Sequence, residues 1–163
     1  MRVLALIVVL VSALHSLSFE QELNLKYAYD FGKRFGLGES VRAIVFRESS
    51  GGINLENSEV MACGWAQILV RTWKKRYEED LRGLNISDRK ICDVLKSDVD
   101  LNLLAAVEEL KFWQKVHGRN NWKKIYASYY AGYNYKSKDG VEYSRKIVSH
   151  LKYMRKYFRK DVK

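Results

Sequence analysis

Glu48 is the residue whose type and position best suit it for chemistry. It continues the apolar stripe formed by Val41, Ile44 and Val45 at helical spacing, so its side chain should point inward. It also falls in the last turn of that predicted helix, near the negative end of the helix dipole. Both effects disfavour the carboxylate, and a carboxyl group protonated near neutral pH can act as a general acid in glycoside cleavage. Position alone leaves open a plain alternative, a surface glutamate paired with Arg47.

A second carboxyl group is not evident beside Glu48. Glycosidases ordinarily use two carboxyl groups, although substrate-assisted cleavage by the sugar's own N-acetyl oxygen is a known exception. Glu56 and Glu59 lie in the following loop and are candidates. Their simpler interpretation is as solvated loop charges.

The elements that must position Glu48 are predicted to be helices. The chain contains no proline, and apolar residues recur at helical spacing almost throughout, so the predicted fold class is all-α. Ser87 is a predicted helix cap, and Ser97 with Asp100 resembles a capping box. The predicted helices are 23–35, 39–50, 65–79, 88–95, 98–117, 121–131 and 142–158.

Length and the first residues predict one exported domain. A chain of 163 residues suits a single compact core. Arg2, the apolar run 3–14 and the small residues Ser16 and Ser18 resemble a secretory signal, which predicts residues 1–18 as a signal peptide and 19–163 as the mature domain. The location would then be periplasmic or secreted. An uncleaved membrane anchor and a buried N-terminal helix remain alternatives.

Charge and cysteine content restrict the expected partners. The net charge of +10 favours an anionic partner such as cell wall or phospholipid. We expect no nucleic-acid partner, because no binding motif is present and export argues against one. Cys63 and Cys92 are either a disulfide or a pair of buried thiols. No His, Asp and Cys cluster has ligand spacing, so we expect no metal and no cofactor.

Four segments in order resemble the soluble lytic transglycosylase family, which is related to goose-type lysozymes. The resemblance covers roughly residues 35–153 and also includes a Tyr-x-x-x-Ile segment at Tyr143. The four segments read Ile-Val-Phe-Arg-Glu-Ser-Ser-Gly-Gly at 44–52, Gly-Trp-Ala-Gln-Ile-Leu at 64–69, Asp-Leu-Asn-Leu-Leu-Ala-Ala at 100–106, and Ala-Ser-Tyr-Tyr-Ala-Gly at 127–132.

The resemblance implies a lysozyme-like helical domain that cleaves peptidoglycan glycan strands without hydrolysis. Glu48 would be the catalytic acid, leaving 1,6-anhydro ends on N-acetylmuramic acid. The matching positions imply substrate-binding roles for Ser49, Ser58, Gln67 and Tyr129, with Ser49 also steadying the loop of Glu48. Members of this family open the wall for secretion, conjugation or phage entry, so a secretion or conjugation assembly is a further expected class of partner. Membrane contact is expected only through an uncleaved signal segment.

Two alternatives stay open at this level. A hydrolytic lysozyme would share the fold and the scissile bond but use water as the acceptor. A non-catalytic wall-binding or assembly factor would keep the fold alone. Ala66 and Tyr130, which replace the family's usual methionine and asparagine, favour this second alternative.

Overall fold

A computed structural model describes residues 17–159, and this part of the chain folds into seven α-helices and a small sheet. The prediction of an all-α fold is confirmed. None of the described helices is both long enough and apolar enough to span a bilayer. The helices are α1 Phe19–Lys33, α2 Gly38–Ser49, α3 Val70–Arg76, α4 Asp88–Ser97, α5 Val99–His117, α6 Trp122–Ala131 and α7 Lys138–Phe158; the strands are β1 Glu56–Asn57, β2 Ala62–Cys63 and β3 Ile68–Leu69.

Helix α2 runs through the centre of the core. All residues from Val41 to Val45 are buried, so this helix is enclosed around its circumference. It packs against α1, α5 and α7. Leu25, Leu103 and Ile147 from those three helices are fully buried around it. The C-terminal end of α2, which carries Glu48, is therefore held in place by the packed core.

The predicted helix over 65–79 is wrong at its start. Residues 65–67 form a turn that joins β2 to β3, and only α3 is helical. Gly64 (φ +79°) and Gln67 (φ +48°) both adopt left-handed backbone conformations, which end any regular helix. The sheet has the antiparallel order β1-β2-β3, with Cys63 opposite both Glu56 and Ile68.

A disulfide joins Cys63 on β2 to Cys92 on α4. Both cysteines are fully buried, so the bond forms part of the core on the side of the sheet. Each strand of the sheet is only two residues long, and the disulfide joins the sheet to α4.

Two capping predictions have different outcomes. Ser87 caps α4 as predicted, since its hydroxyl accepts the main-chain N–H of Lys90 at 3.2 Å. The predicted box of Ser97 and Asp100 is wrong. Asp98 caps α5 instead, accepting the N–H of Leu101 at 2.9 Å, because α4 continues through Ser97 and leaves only Asp98 in an extended conformation.

The predicted signal peptide lies outside the described residues except for its last two. Ser18 caps α1 and forms a capping box with Gln21. The side chain of Gln21 also donates to the main-chain oxygen of Ser50 at 2.8 Å. Cleavage after Ser18 would remove this cap, so the predicted signal-peptide boundary would separate α1 from its N-terminal cap.

Candidate functional site

Glu48 lies in the last turn of α2 with its side chain half buried. The stripe that predicted its inward direction, Val41, Ile44 and Val45, is fully buried. Burial raises the pKa of the Glu48 carboxyl above its ordinary value, while Tyr143 and the positive charge of Arg47 oppose the rise. The local environment thus favours the protonated acid, as the sequence indicated.

Tyr143 on α7 approaches the Glu48 carboxyl. The residue is 4% exposed, and burial together with the nearby carboxylate raises the pKa of its hydroxyl well above the ordinary tyrosine value. The hydroxyl interacts with the carboxylate and stabilises it, but the two groups do not reach the geometry of a regular hydrogen bond. Within residues 17–159 this hydroxyl has no other partner. It is a protonated donor with unused hydrogen-bonding capacity beside the acid.

Tyr129 on α6 is the second tyrosine near the acid. Its ring stacks on that of Tyr143, with centroids 6.4 Å apart and planes 11° from parallel. Burial and the charge of Glu48 raise the pKa of the Tyr129 hydroxyl well above its ordinary value. The hydroxyl donates to the main-chain oxygen of Ala66 at 3.0 Å. The structure therefore brings Tyr129 close to Glu48, as predicted.

The turn of residues 64–67, here called the site turn, is fastened to α5 by Asn102. The buried Asn102 accepts the N–H of Ala66 through Oδ1 at 2.8 Å and donates through Nδ2 to the oxygen of Cys63 at 2.8 Å. Asn102 approaches so closely that a Cβ on Gly64 would lie 2.1 Å from its Nδ2. Glycine at this position thus permits the contact between the turn and the helix.

Ser49 fastens the opposite side of the site turn to α2. Its hydroxyl lies 2.7 Å from the Trp65 oxygen and 3.0 Å from the Val45 oxygen, and it accepts the Gly52 N–H at 2.8 Å. Ser49 has no exposed surface, so the direct substrate contact predicted for it is excluded by its burial. The structure gives it the loop-steadying role alone.

Gln67 reaches a groove that runs past Tyr129. Its amide nitrogen donates to the Gly64 oxygen at 3.0 Å and to the Asn54 oxygen at 3.3 Å, which leaves its Oε1 without a hydrogen bond among the described residues. The structure therefore places Gln67 and Tyr129, two of the predicted substrate-binding residues, on the same groove. Other lining residues include Leu69, Thr72, Trp73, Arg76, Glu109, Trp113, Ser128 and Tyr130.

Ser58 and the two loop carboxylates lie apart from this arrangement. Ser58 is exposed in the turn between β1 and β2, and its side chain makes no hydrogen bond within the described chain. Glu56 pairs with Arg89 at 2.6 Å and Lys96 at 2.6 Å, and its hydrogen bonds with these cations lower its pKa. Glu59 is exposed.

An ion pair in the groove was not predicted from the sequence. Arg76 of α3 and Glu109 of α5 form it, with side chains 27% and 15% exposed. Trp113 donates its indole N–H to the other Glu109 oxygen. The residues of the ion pair are 33 positions apart and lie outside the four motif segments, so no local pattern could have linked them. Trp73, also in the groove, has a buried indole N–H with no partner among the described residues.

Comparison with known proteins gives one informative similarity. No family model matches the chain, and no solved structure matches it. The chain is similar to the uncharacterized 20.7 kDa protein in the vs-regB intergenic region of Enterobacteria phage T4, with 30% identity over an alignment of 160 residues. The match covers 88% of this chain and 85% of the phage protein. The name of that protein states no activity. The chain belongs to the same family as this phage T4 protein.

Proposed function

We propose that the protein is a peptidoglycan lytic transglycosylase that cleaves the β-1,4 bond between N-acetylmuramic acid and N-acetylglucosamine. The observation that carries the proposal is the half-buried Glu48 carboxyl, whose pKa is raised by burial and which lies near Tyr143 and Tyr129. This arrangement suits one group that gives a proton and then takes one back. The groove beside Tyr129 is the proposed path of the glycan strand.

In the first step, Glu48 gives its proton to the bridging oxygen as the glycosidic bond breaks. The muramoyl N-acetyl oxygen attacks the anomeric carbon at the same time and forms a cyclic cation. An internal nucleophile of this kind has a large orientation advantage over free water. The Tyr143 hydroxyl, which already interacts with the carboxyl, stabilises the Glu48 carboxylate formed here.

In the second step, the Glu48 carboxylate takes the proton of the muramoyl 6-hydroxyl. That oxygen attacks the anomeric carbon, the N-acetyl group is released, and a 1,6-anhydro ring closes. Glu48 ends protonated and no water is consumed. One acid of raised pKa is therefore sufficient for the whole cycle.

The pairing of the other candidate carboxylates supports this single-acid mechanism over hydrolysis. Glu56 is neutralised by Arg89 and Lys96. The observation that favours a hydrolytic lysozyme is Glu109, a carboxylate that lines the groove beside Tyr129. Both Glu109 oxygens are occupied, one by Arg76 and one by Trp113, which leaves it poorly placed to activate a water molecule.

The two residues that favoured a non-catalytic wall-binding factor leave the site intact. Ala66 contributes its main-chain N–H and oxygen to the site turn, and these atoms do not depend on the side chain. Tyr130 is exposed and stacks on Tyr143 at 5.0 Å, so it adds an aromatic face at the groove. Aromatic faces of this kind are suited to stacking on sugar rings.

A periplasmic or secreted location is part of the proposal. The disulfide between Cys63 and Cys92 supports it, since such bonds form and persist in oxidising compartments. The glycan strands of peptidoglycan would be met there, and a secretion or conjugation assembly would be a second partner at the same place.

The proposal is tested by digesting purified sacculi and weighing the released fragments. Wild-type protein is compared with Glu48→Gln and with Glu59→Gln, which makes the same chemical change at an exposed position of the β1–β2 turn. We expect anhydro ends from wild type and Glu59→Gln, and a loss of at least about a hundredfold in rate for Glu48→Gln, since removing a general acid costs about 10² to 10⁴.

Other outcomes assign the protein differently. Reducing ends instead of anhydro ends would identify a hydrolase with the same acid. Equal release by wild type and Glu48→Gln would remove Glu48 from the mechanism. Binding to sacculi without release of fragments by wild type would favour the non-catalytic factor.

A further inference from the structure

The positive charge of the protein is concentrated in its last two helices. Residues 122–159 contain ten lysines and arginines but only two acidic residues, a net charge of +8 out of +10 for the whole chain. The other 125 residues are therefore close to neutral, at +2. An uneven distribution of this kind directs one face of the molecule toward anionic surfaces.

Four of these cations surround one pocket between α6 and α7, here called the basic pocket. Its volume is about 500 Å³. The rim consists of Lys123, Lys124, Lys136 and Arg145, and the apolar part of the lining consists of Ala127, Tyr135, Val141 and Val148. A cationic rim over an apolar floor is suited to an anion that carries an apolar part.

Three of the four charges at the rim are not paired with acidic groups of the described chain, and the fourth is paired only at long range. Lys123, Lys124 and Lys136 form no ion pair there, and Arg145 approaches Glu142 only at 3.9 Å. The ammonium groups of Lys124 and Lys136 instead lie 6.0 and 5.9 Å from the centre of the Tyr135 ring. The rim is therefore free to bind an external anion.

The cationic surface extends from the basic pocket along α7. Arg145, Lys152, Lys156 and Arg159 follow one another at spacings of seven, four and three residues, which places them on one side of the helix. All four are exposed. At 1.5 Å per residue, the stripe is about 21 Å long, which suits an extended array of anions better than a single ion.

We propose that the basic pocket and this stripe form a docking surface for an anionic phospholipid membrane. A headgroup phosphate enters the cationic rim, and Val141 and Val148 contact the first methylene groups below it. The apolar floor favours a lipid over a hydrophilic polyanion, because a wall polymer or a nucleic acid has nothing apolar to place there. Basic residues beside aliphatic and aromatic ones are typical of proteins that bind at the membrane interface.

This docking surface is separate from the Glu48 site and does not depend on the proposed activity. Tyr143 and Arg145 are two residues apart on α7, about 200° around the helix axis. A membrane bound through Arg145 would therefore lie on the opposite side of α7 from Tyr143. The docking surface also provides a membrane contact in addition to the predicted signal segment.

The proposal is tested by sedimentation of the full-length protein with lipid vesicles. Neutral phosphatidylcholine vesicles are compared with vesicles containing about 30 mol% phosphatidylglycerol, which gives them an anionic surface. The readout is the partition ratio, the partition coefficient on anionic vesicles divided by that on neutral vesicles. Any contribution that the apolar N-terminal residues make equally to both coefficients cancels in this ratio. Far-UV circular dichroism and thermal melting check that each variant is folded.

Two variants with equal charge separate the docking surface from net charge. The pocket variant replaces Lys123, Lys124, Lys136 and Arg145 with glutamine. The control variant makes the same change at four exposed cations that have no ion pair within the described chain, namely Lys75, Lys90, Lys115 and Arg119. Each basic side chain at an anionic surface contributes about fivefold to binding. We therefore expect the partition ratio to fall at least about a hundredfold in the pocket variant and less than about tenfold in the control variant.

A third variant, Val141→Asn, tests the apolar part of the pocket without altering charge. Val141 is 39% exposed, so this change should leave the fold intact while lowering the partition coefficient on anionic vesicles about threefold or more. The proposal is overturned if the anionic and neutral partition coefficients of wild type are equal. It is also overturned if the pocket and control variants lose the same amount, or if Val141→Asn has no effect and soluble polyphosphate displaces the protein completely. The last result would indicate a hydrophilic polyanion as partner.

Discussion

The disulfide between Cys63 and Cys92 allows a stability prediction with little ambiguity. The protein has only these two cysteines, so a reductant can act on no other bond. The bond closes a loop across a sequence separation of 29 residues. The loop-entropy relation then gives a stabilisation of about 3.6 kcal/mol at 25 °C, because the cross-link restricts the unfolded chain.

The measurement is urea unfolding of the oxidised and the reduced protein. With a slope of about 2 kcal/mol per molar urea, a loss of about 3.6 kcal/mol corresponds to a midpoint lower by about 1.8 M. The matched control is the double variant Cys63→Ala and Cys92→Ala, which should unfold near the reduced wild type and should not respond to reductant. Because Cys63 directly precedes the site turn, reduction should also slow any glycan cleavage.

Two results would refute this reasoning. A loss of less than about 1 kcal/mol on reduction would mean that the bond does not constrain the unfolded chain as the loop relation requires. Two reactive thiols in the unreduced, unfolded protein would mean that the bond is not formed at all. The same thiol assay, applied to protein produced with and without residues 1–18, tests export, since the bond should form only in the exported protein.

Three substitutions test the site further. Glu48→Gln should stabilise the fold at neutral pH, because burial raises the folded-state pKa of this carboxyl above its unfolded-state pKa. Wild type therefore loses stability as the pH rises from the ordinary glutamate pKa through the raised folded-state pKa, and the glutamine variant does not. Unfolding free energies of the two proteins should converge below the ordinary glutamate pKa, and a difference that is constant from acid to neutral pH would contradict this. Asn102→Ala should cost about 2 to 5 kcal/mol in urea unfolding, since two buried main-chain groups lose their partner, while Asn120→Ala at an exposed position should change little. Gly64→Ala should cost several kcal/mol of unfolding free energy, because the added Cβ would lie 2.1 Å from Asn102. The control Gly83→Ala has a similar φ and nothing within 4 Å of the added Cβ, so it should cost only about 1 kcal/mol. Equal thermal shifts in the two variants would show that backbone strain alone matters.

Helical periodicity predicted most of this fold because helices dominate the core. The stripe through Val41, Ile44 and Val45 was sufficient to predict that Glu48 points inward, and its carboxyl does have a raised pKa from burial. Helix bounds were less accurate. Helix α1 begins at Phe19, four residues before the predicted start at 23, because Ser18 provides a cap that was assigned to the signal segment.

Short strands and distant pairs could not be predicted in this way. Each strand has only two residues, too few for an alternating pattern, and the turn between β2 and β3 was therefore assigned to a helix. The pair of Arg76 and Glu109 forms only because the fold brings the end of α3 beside α5, 33 residues away along the chain. Burial likewise changed the interpretation of Ser49, since its complete enclosure depends on the Trp65 and Gly52 main chain closing around it.

The way in which the site turn is held has a consequence for how this family can diverge. Ser49, Asn102 and Tyr129 all form hydrogen bonds with main-chain atoms of the segment from Cys63 to Ala66, and none of these bonds involves a side chain of that segment. Selection for the geometry of the site turn therefore acts on these three hydrogen-bonding residues and on Gly64. The half-buried Trp65 side chain can therefore change in relatives while the backbone path past Glu48 stays the same, whereas Ala66 is restricted to a small side chain by its complete burial.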